Sequence, residues 1–594
     1  MKQHKSLLLP PQVRGISRRQ FVSGMAAGGA CLGLMGTPRR SHAEINGGVH
    51  ELRGNRFDLE IGYRTVNFTG RERTATVVNG SIPGPVLHWR EGERVTLRVR
   101  NNLAHDSSIH WHGLILPAGM DGVPGISFDG IQPGETFTYE FDVRQNGTYW
   151  YHSHSGFQEQ TGVYGTIVID PREPDPVAYD RDYVVMLSDW SDLKPERIYA
   201  ILKKQSDYYN FRERTVADLF SDLGKKGLAQ TMDDRAMWNR MRMSDSDLAD
   251  VTGYTYTYLM NGHTPADPWL GLFANGEKVR LRFVNGAAMT IFDVRIPGLK
   301  MTVVAADGQN VEPFTVDEFR IGVAETYDVI VEPAADSAYT IFAQGMDRSG
   351  YVSGTLTPDV SWRAGVPSME PPYVLGHRDM GMAMHHGSDT AQEHAMHGMQ
   401  HAADNLQPGL GKAGFGSNAP IHHDRAEYGP HVDMRAENPM DGLHDPGVGL
   451  RDHQRLYGRR VLTYGDIRSL GRTADPREPT REIELHLTGN MSRYMWSFDG
   501  IKFDDAEPLA LAYDERVRIT LVNDTMMTHP VHLHGMWSEI ESGDPKHIPR
   551  KHTLIVQPGA KISYLVTADA LGGWAYHCHL LYHMPGMFRK VLVS

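Results

Sequence analysis

The sequence predicts an all-β chain of three Greek-key β-sandwich domains, interrupted by one helical insertion and one His/Met-rich loop. Three observations predict it. The 594 residues exceed one domain and suit three or four of about 100–200 residues each. A segment recurs three times, as "GERVTLRVRN" ending at Asn101, "GEKVRLRFVN" ending at Asn285 and "DERVRITLVN" ending at Asn523. Each copy is a turn, a run of period-2 alternation and a closing Asn, and such wide spacing means homologous sandwiches rather than a solenoid. Short alternating strands and Gly/Pro turns fill the chain around each copy.

The elements follow in order. Residues 1–43 carry Lys2, Lys5, Arg14, Arg18, Arg19, Arg39 and Arg40 and no acidic side chain. Ser17-Arg18-Arg19-Gln20-Phe21-Val22 leads into a Gly/Ala-rich apolar stretch, and Ser41-His42-Ala43 offers small residues for cleavage. This pattern predicts a twin-arginine signal peptide and a periplasmic protein; the apolar stretch is too short and glycine-rich to span a bilayer. The first domain is expected over 44–180 and the second over 181–366. Residues 191–250, rich in Lys, Arg, Asp, Leu and Met, read as helices inserted in the second domain and packed against it. Residues 367–455, richer in Gly, Pro, His and Met and poor in β-branched residues, read as a long mobile linker. The third domain is expected over 456–594.

Composition narrows the function. Hydrophobic residues make up 40% and charged residues 22%, as in soluble globular proteins, and no apolar run in the body reaches membrane-spanning length. The net charge of −12 becomes more negative once the basic leader is removed, which repels nucleic acid and favours cations. Two cysteines exclude a disulfide scaffold and a four-thiolate zinc site. Against them stand 30 His and 28 Met, a balance that points to metals.

Four strings concentrate the chemistry: His110-Trp111-His112, His152-Ser153-His154, His529-Pro530-Val531-His532-Leu533-His534, and His577-Cys578-His579 followed by His583. Residues i and i+2 of a strand share a face, so each H-x-H presents two imidazoles together. Two such pairs from each terminal domain would bring eight imidazoles to one cavity, enough for three metal ions with open positions. Cys578 must face away from His577 and His579. His529 and His583 remain to join its thiolate, which gives the trigonal set of a blue copper centre. Met587, four positions after His583, can reach as a weak axial thioether. A lone H-x-H is more often a surface pair than a ligand, but four strings, one enclosing a cysteine, exceed coincidence. Zinc also takes His and Cys, yet so many imidazoles with one thiolate suit copper better.

"HWHG", "YWYHSHSG", "MMTHPVHLHGMW" and "WAYHCHLLYHMPGMFRKV" resemble the multicopper oxidases, and among them the bacterial periplasmic copper-resistance protein A family. The likeness covers nearly the whole chain after the leader and includes the His/Met-rich insertion. It implies cupredoxin-like domains and four copper ions. His529, Cys578 and His583 would bind the type 1 ion, and His110 and His532 the type 2 ion. His112, His152, His154, His534, His577 and His579 would bind the type 3 pair. The family places its axial Met ten positions after the Cys, where this chain has Phe588, so Met587 and Phe588 compete for that role. Some relatives carry a carboxylate directly after the last type 1 His, where this chain has Met584. Asp121, in "MDGVPG", matches another family acid and is the candidate proton relay; a turn-forming Asp-Gly pair is the alternative.

The resemblance implies an oxidase that passes electrons from Cu(I) to dioxygen, with phenols as further substrates. A laccase-type phenol oxidase and a copper-sequestering protein are the other readings. The tract Met380-Gly381-Met382-Ala383-Met384-His385-His386, with His394, Met396, His397, Met399 and His401, would hold extra copper ions. Met491, Met495, Met526, Met527 and Met536 would guide Cu(I) inward or simply fill the core.

Overall fold

The computed structural model describes residues 50–594 apart from 213, 242, 335 and 382–409. The twin-arginine leader and the tract from Met382 to His401 lie outside the described residues. Among those described, strands dominate and form six sheets, two from each of three successive stretches, so the expected all-β class holds.

Each repeat copy is the same strand of its sandwich. Arg94–Asn101 pairs in parallel with Arg56–Val66 and antiparallel with Thr136–Asp142. Val279–Asn285 lies in the same way between Arg181–Trp190 and Thr326–Val331, and Arg516–Asn523 between Arg481–Asn490 and Ala560–Thr567. The closing Asn explains its recurrence. Nδ2 of Asn101 donates to the carbonyls of His105 and Ile131, that of Asn285 to Thr290 and Ile321, and that of Asn523 to Met527 and Val556. In each case Oδ1 accepts the N–H two residues on, at Leu103, Ala287 and Thr525. One buried amide thus satisfies backbone groups at a strand end that would otherwise be orphaned.

Period-2 alternation leaves Arg94, Arg98 and Arg100 facing solvent in the first copy. In the later copies the polar face is buried as well. Arg280 and Arg282 share Asp328, which also accepts from the Thr148 hydroxyl at 3.0 Å, and Arg282 donates to Thr148 Oγ1. This ties the histidine-bearing strand Gly147–His152 of the first stretch to the second. Arg518, fully buried, forms a two-bonded pair with Glu541.

The insertion contains helices Pro195–Leu202, Val216–Lys226 and Leu228–Met241. The first buries Ile198 and Leu202, and the last buries Met237, Trp238 and Met241 near its end. Val216–Lys226 has no fully buried residue and leaves Val216 and Phe220 exposed; it packs on Leu228–Met241, with Arg235 paired to Asp222.

The mobile-linker expectation does not hold for residues 410–455. Leu410, Ala413, Val432, Met434, Ala436, Val448 and Leu450 are buried, and Met440–Asp441 pairs in parallel with Ala560–Thr567. Side-chain caps supply what regular ladders do not: Asp433 accepts from Asn490 and the Met491 N–H, and Glu541 from the Gly414 N–H. The segment lacks hydrophobic periodicity because its backbone is satisfied by distant carboxylates. No helix among the described residues is long and apolar enough to cross a membrane.

Candidate metal centre

Two antiparallel pairs carry the histidines. His110 lies opposite His152 where His110–His112 meets Gly147–His152. His532 lies opposite His577, and Val531 opposite Cys578, where His529–Leu533 meets Gly572–Cys578. Directly opposed residues share a face, so His532 and His577 point one way and Cys578 the other.

The two pairs converge on one cavity. Donor atoms of His110, His112 and His532 lie within 4.8 Å of one another, as do those of His110, His154 and His534, and of His112, His152 and His579. His577 joins through Nε2, 3.1 Å from His534 Nε2. Behind the strand, Cys578 Sγ lies 3.5 Å from His529 Nδ1 and 3.8 Å from His583 Nδ1, and those two nitrogens are 3.3 Å apart.

Protein oxygens hold one nitrogen of most rings and leave the other facing the cavity. His110 Nδ1 donates to the Asp121 carbonyl at 2.8 Å, His532 Nδ1 to the His552 carbonyl at 2.5 Å, and His577 Nδ1 to the Cys578 carbonyl at 2.9 Å. His534 Nδ1 donates to Asp121 Oδ2 at 2.9 Å, and His152 Nδ1 lies 2.7 Å from Glu159 Oε2. His110 Nε2, His154 Nε2 and His532 Nε2 are buried and make no hydrogen bond. His112 is reversed: its Nε2 is 3.2 Å from Thr553 Oγ1 and its Nδ1 is free. At the cysteine group the Nε2 atoms are the anchored ones. The Thr525 hydroxyl donates to Asn523 Oδ1, so it accepts from His529 Nε2–H at 2.7 Å. His583 Nε2 donates to Asp250 at 2.6 Å, and Asp250 also accepts from the Tyr494 hydroxyl at 2.9 Å. Anchoring one imidazole nitrogen to fix the tautomer of the other is the outer-shell arrangement of metal-binding histidines.

Burial supplies the rest. It holds the imidazoles of His112, His152, His154, His529, His532, His534 and His579 well below their ordinary value, and His577 down to about 4, so their lone pairs stay available. Burial also pushes the Cys578 thiol up, so forming its thiolate requires a cation beside it. Buried imidazole nitrogens without partners, beside a lone buried thiol, suit a copper set.

Met587 and Phe588 part company here. Phe588 pairs with His577 and stacks on its ring at 5.3 Å and 7°, on the face away from Cys578. Met587 is fully buried, and its carbonyl accepts the Cys578 N–H at 3.1 Å. Asp121 sits in a turn and also touches two of the clustered histidines. Gly122 follows it at φ +81°, where a Cβ would collide with the Ile109 carbonyl, and the Asp121 carboxylate is buried against His534. Met491, Met526, Met527 and Met536 are buried in the core, while Met495 is partly exposed.

Sequence reasoning missed Glu159, Asp250, Thr525 and His552. Burial pushes the Glu159 carboxyl well above the usual range, with Asp189 adding to the effect. His552 belongs to a brace from the second domain: Asp307 accepts the N–H groups of His552 and Thr553, and Lys551 sits between Asp307 and Glu325. Only Glu159 left a sequence signal, as an acid within the loop after His154.

Comparison with known proteins agrees with this geometry. Family profiles described as multicopper oxidase match residues 60–174, 181–358 and 476–594. A copper resistance protein A homolog of Pseudomonas syringae pv. tomato is 57% identical, covering 97% of this chain and 99% of its own length. Copper resistance protein A of Escherichia coli is 55% identical with the same coverage. The solved structure of Fet3p, a multicopper oxidase that functions in iron import, shares the fold with a TM-score of 0.60 at 20% identity over 91% of both chains. Three profile matches and relatives above half identity over nearly full length leave one assignment: the chain belongs to the multicopper oxidases, oxidoreductases that use copper and dioxygen.

Proposed function

We propose that this chain oxidises Cu(I) in the periplasm, after twin-arginine export, with four resident copper ions. The reaction balances as 4 Cu(I) + O2 + 4 H+ → 4 Cu(II) + 2 H2O. The observation that carries the reading is the division of most of these imidazoles into an anchored nitrogen and a free one. His529, Cys578 and His583 would hold the type 1 ion, with the Met587 thioether rather than Phe588 as the further candidate ligand. His110 and His532 would hold the type 2 ion. The type 3 pair would fall to His112, His152 and His579 on one side and His154, His534 and His577 on the other. Bound there, copper supplies one-electron acceptance beside Cys578 and four-electron reduction of dioxygen at the histidine cavity.

The chain's own residues orient and protonate. Asp250 and Thr525 fix the rings of His583 and His529. Asp121 holds His110 through its carbonyl and His534 through its carboxylate, which places a proton carrier at the cavity wall. Burial keeps bulk water away from both groups. Cu(I) as substrate rests on the copper resistance relatives and on the thioether-rich composition, and the tract from Met380 to His401 would hold further copper.

Oxygen uptake with Cu(I) as sole reductant tests this. About four Cu(I) consumed per dioxygen, in a blue protein holding at least about four coppers, is expected. Uptake with phenols but not Cu(I) would favour a laccase, and a full copper load without uptake would favour sequestration.

The repeated Asn gives an internal control. Asn523→Leu and Asn285→Leu each strand two buried carbonyls and should each lower stability to denaturant by about 1–3 kcal/mol. Only Asn523→Leu should also weaken the blue absorption, because Asn523 sets the Thr525 hydroxyl that holds His529.

A further inference from the structure

One more group of metal-binding side chains converges outside the centre described above. His423 and Glu427 come from the His/Met-rich segment, His486 from the strand Arg481–Asn490, and Asp524 from the end of the strand Arg516–Asn523. His423 Nδ1 lies 2.7 Å from Glu427 Oε2 and 3.5 Å from Asp524 Oδ2. His486 Nδ1 lies 2.7 Å from Asp524 Oδ2 and 3.4 Å from Glu427 Oε2. Two nitrogens and two oxygens therefore alternate around a common point. Donors arranged tetrahedrally about 2.0–2.1 Å from an ion stand about 3.3 Å apart, within the range of these separations.

The remaining atoms of three of these side chains are anchored as in the copper centre. His486 Nε2 donates to Glu484 at 3.2 Å, Asp524 Oδ1 accepts the Ala436 N–H at 2.7 Å, and Glu427 Oε1 accepts the Asp424 N–H at 3.1 Å. All four side chains are at least nine-tenths buried. Three carboxylates, Glu427, Glu484 and Asp524, meet two imidazoles here. Burial pulls the His486 imidazole down, but its bonds to Asp524 and Glu484 push it up to about 10; even with that ring protonated, three carboxylates leave negative charge in excess, which a divalent cation would offset.

We infer that His423, Glu427, His486 and Asp524 form an additional metal site for a divalent transition ion. The set contains no sulfur, so it disfavours Cu(I). Among divalent ions Cu(II) binds such donors most strongly, with Zn(II) the tetrahedral competitor. The site stands whether or not Cu(I) is the enzyme's substrate. Its role is to fasten the segment that carries His423 and Glu427 onto the third sandwich. Asp524 is also the neighbour of Asn523 and Thr525, so the same ion steadies the loop behind His529.

Anomalous diffraction at the copper and zinc edges, from wild-type holoprotein crystals soaked in Cu(II) or in Zn(II), is the direct test. A peak enclosed by these four side chains is expected with at least one of the two ions, and its absence with both would reduce the group to an ion-pair network and overturn the proposal. In solution, His423→Gln and Glu427→Gln should each release one tightly held ion per chain, with affinity at that site lowered about 100-fold or more. Blue absorption should persist in both variants. Wild-type stoichiometry and affinity in both would overturn the site while leaving the oxidase reading intact.

Discussion

Cys578→Ser is expected to remove the blue absorption and to lower Cu(I)-dependent oxygen uptake at least about a thousand-fold, or about 4 kcal/mol at the transition state. Serine matches cysteine in shape, so the buried strand should persist, but its hydroxyl is a poor, hard ligand in place of a soft thiolate. Cys578 sits between His529 and His583, and its main chain continues directly into His577 and His579, whose rings face the other cavity. The substitution therefore removes the thiolate at the head of the shortest covalent path between the two groups and leaves the eight-histidine cavity intact. Copper content should fall by about one ion per chain, read by metal analysis beside the oxygen electrode. Unchanged uptake would refute an oxidase working through this thiol.

Asp121→Asn should slow turnover about 100-fold without loss of copper. An amide oxygen still accepts from His534 Nδ1, and the backbone carbonyl still holds His110, so the cavity keeps its shape. What is lost is the capacity to carry a proton. Stopped-flow measurement separates the steps: reduction of the blue site by Cu(I) should keep its rate, while reoxidation by dioxygen slows. Turnover unaffected in Asn but lost together with copper in Asp121→Ala would make Asp121 a positioning residue only.

Side chains whose role follows from strand period could be read from the sequence. The H-x-H strings and the opposed Cys578 needed only alternation, and the structure gathers all of them. The three repeat copies likewise announced three equivalent strands. Partners that meet across domains left little trace. Asp250 lies at the end of a segment read as helices, yet its carboxylate reaches His583 from 333 residues away. Nothing in the sequence marks Thr525 off from other threonines; its bond to His529 does. Counting from Cys578 cannot show which face a residue takes, whereas register pairs Phe588 with His577, on the face away from Cys578. Residues 410–455 were misread for a related reason: capped turns bury a chain without any periodic signal.

The cavity closes a long circuit. His112 meets His552 across 440 residues, and neither terminal sandwich holds all the rings it needs. Several imidazole nitrogens along that seam have no protein partner. Val123 and Ile126 of the first sandwich pack on Ala575 and Phe588 of the third, and an ion held by rings of both would add a further bond across the same junction. Metal loading is therefore expected to tighten this junction, read as slower proteolysis of the copper-loaded chain than of the metal-free chain.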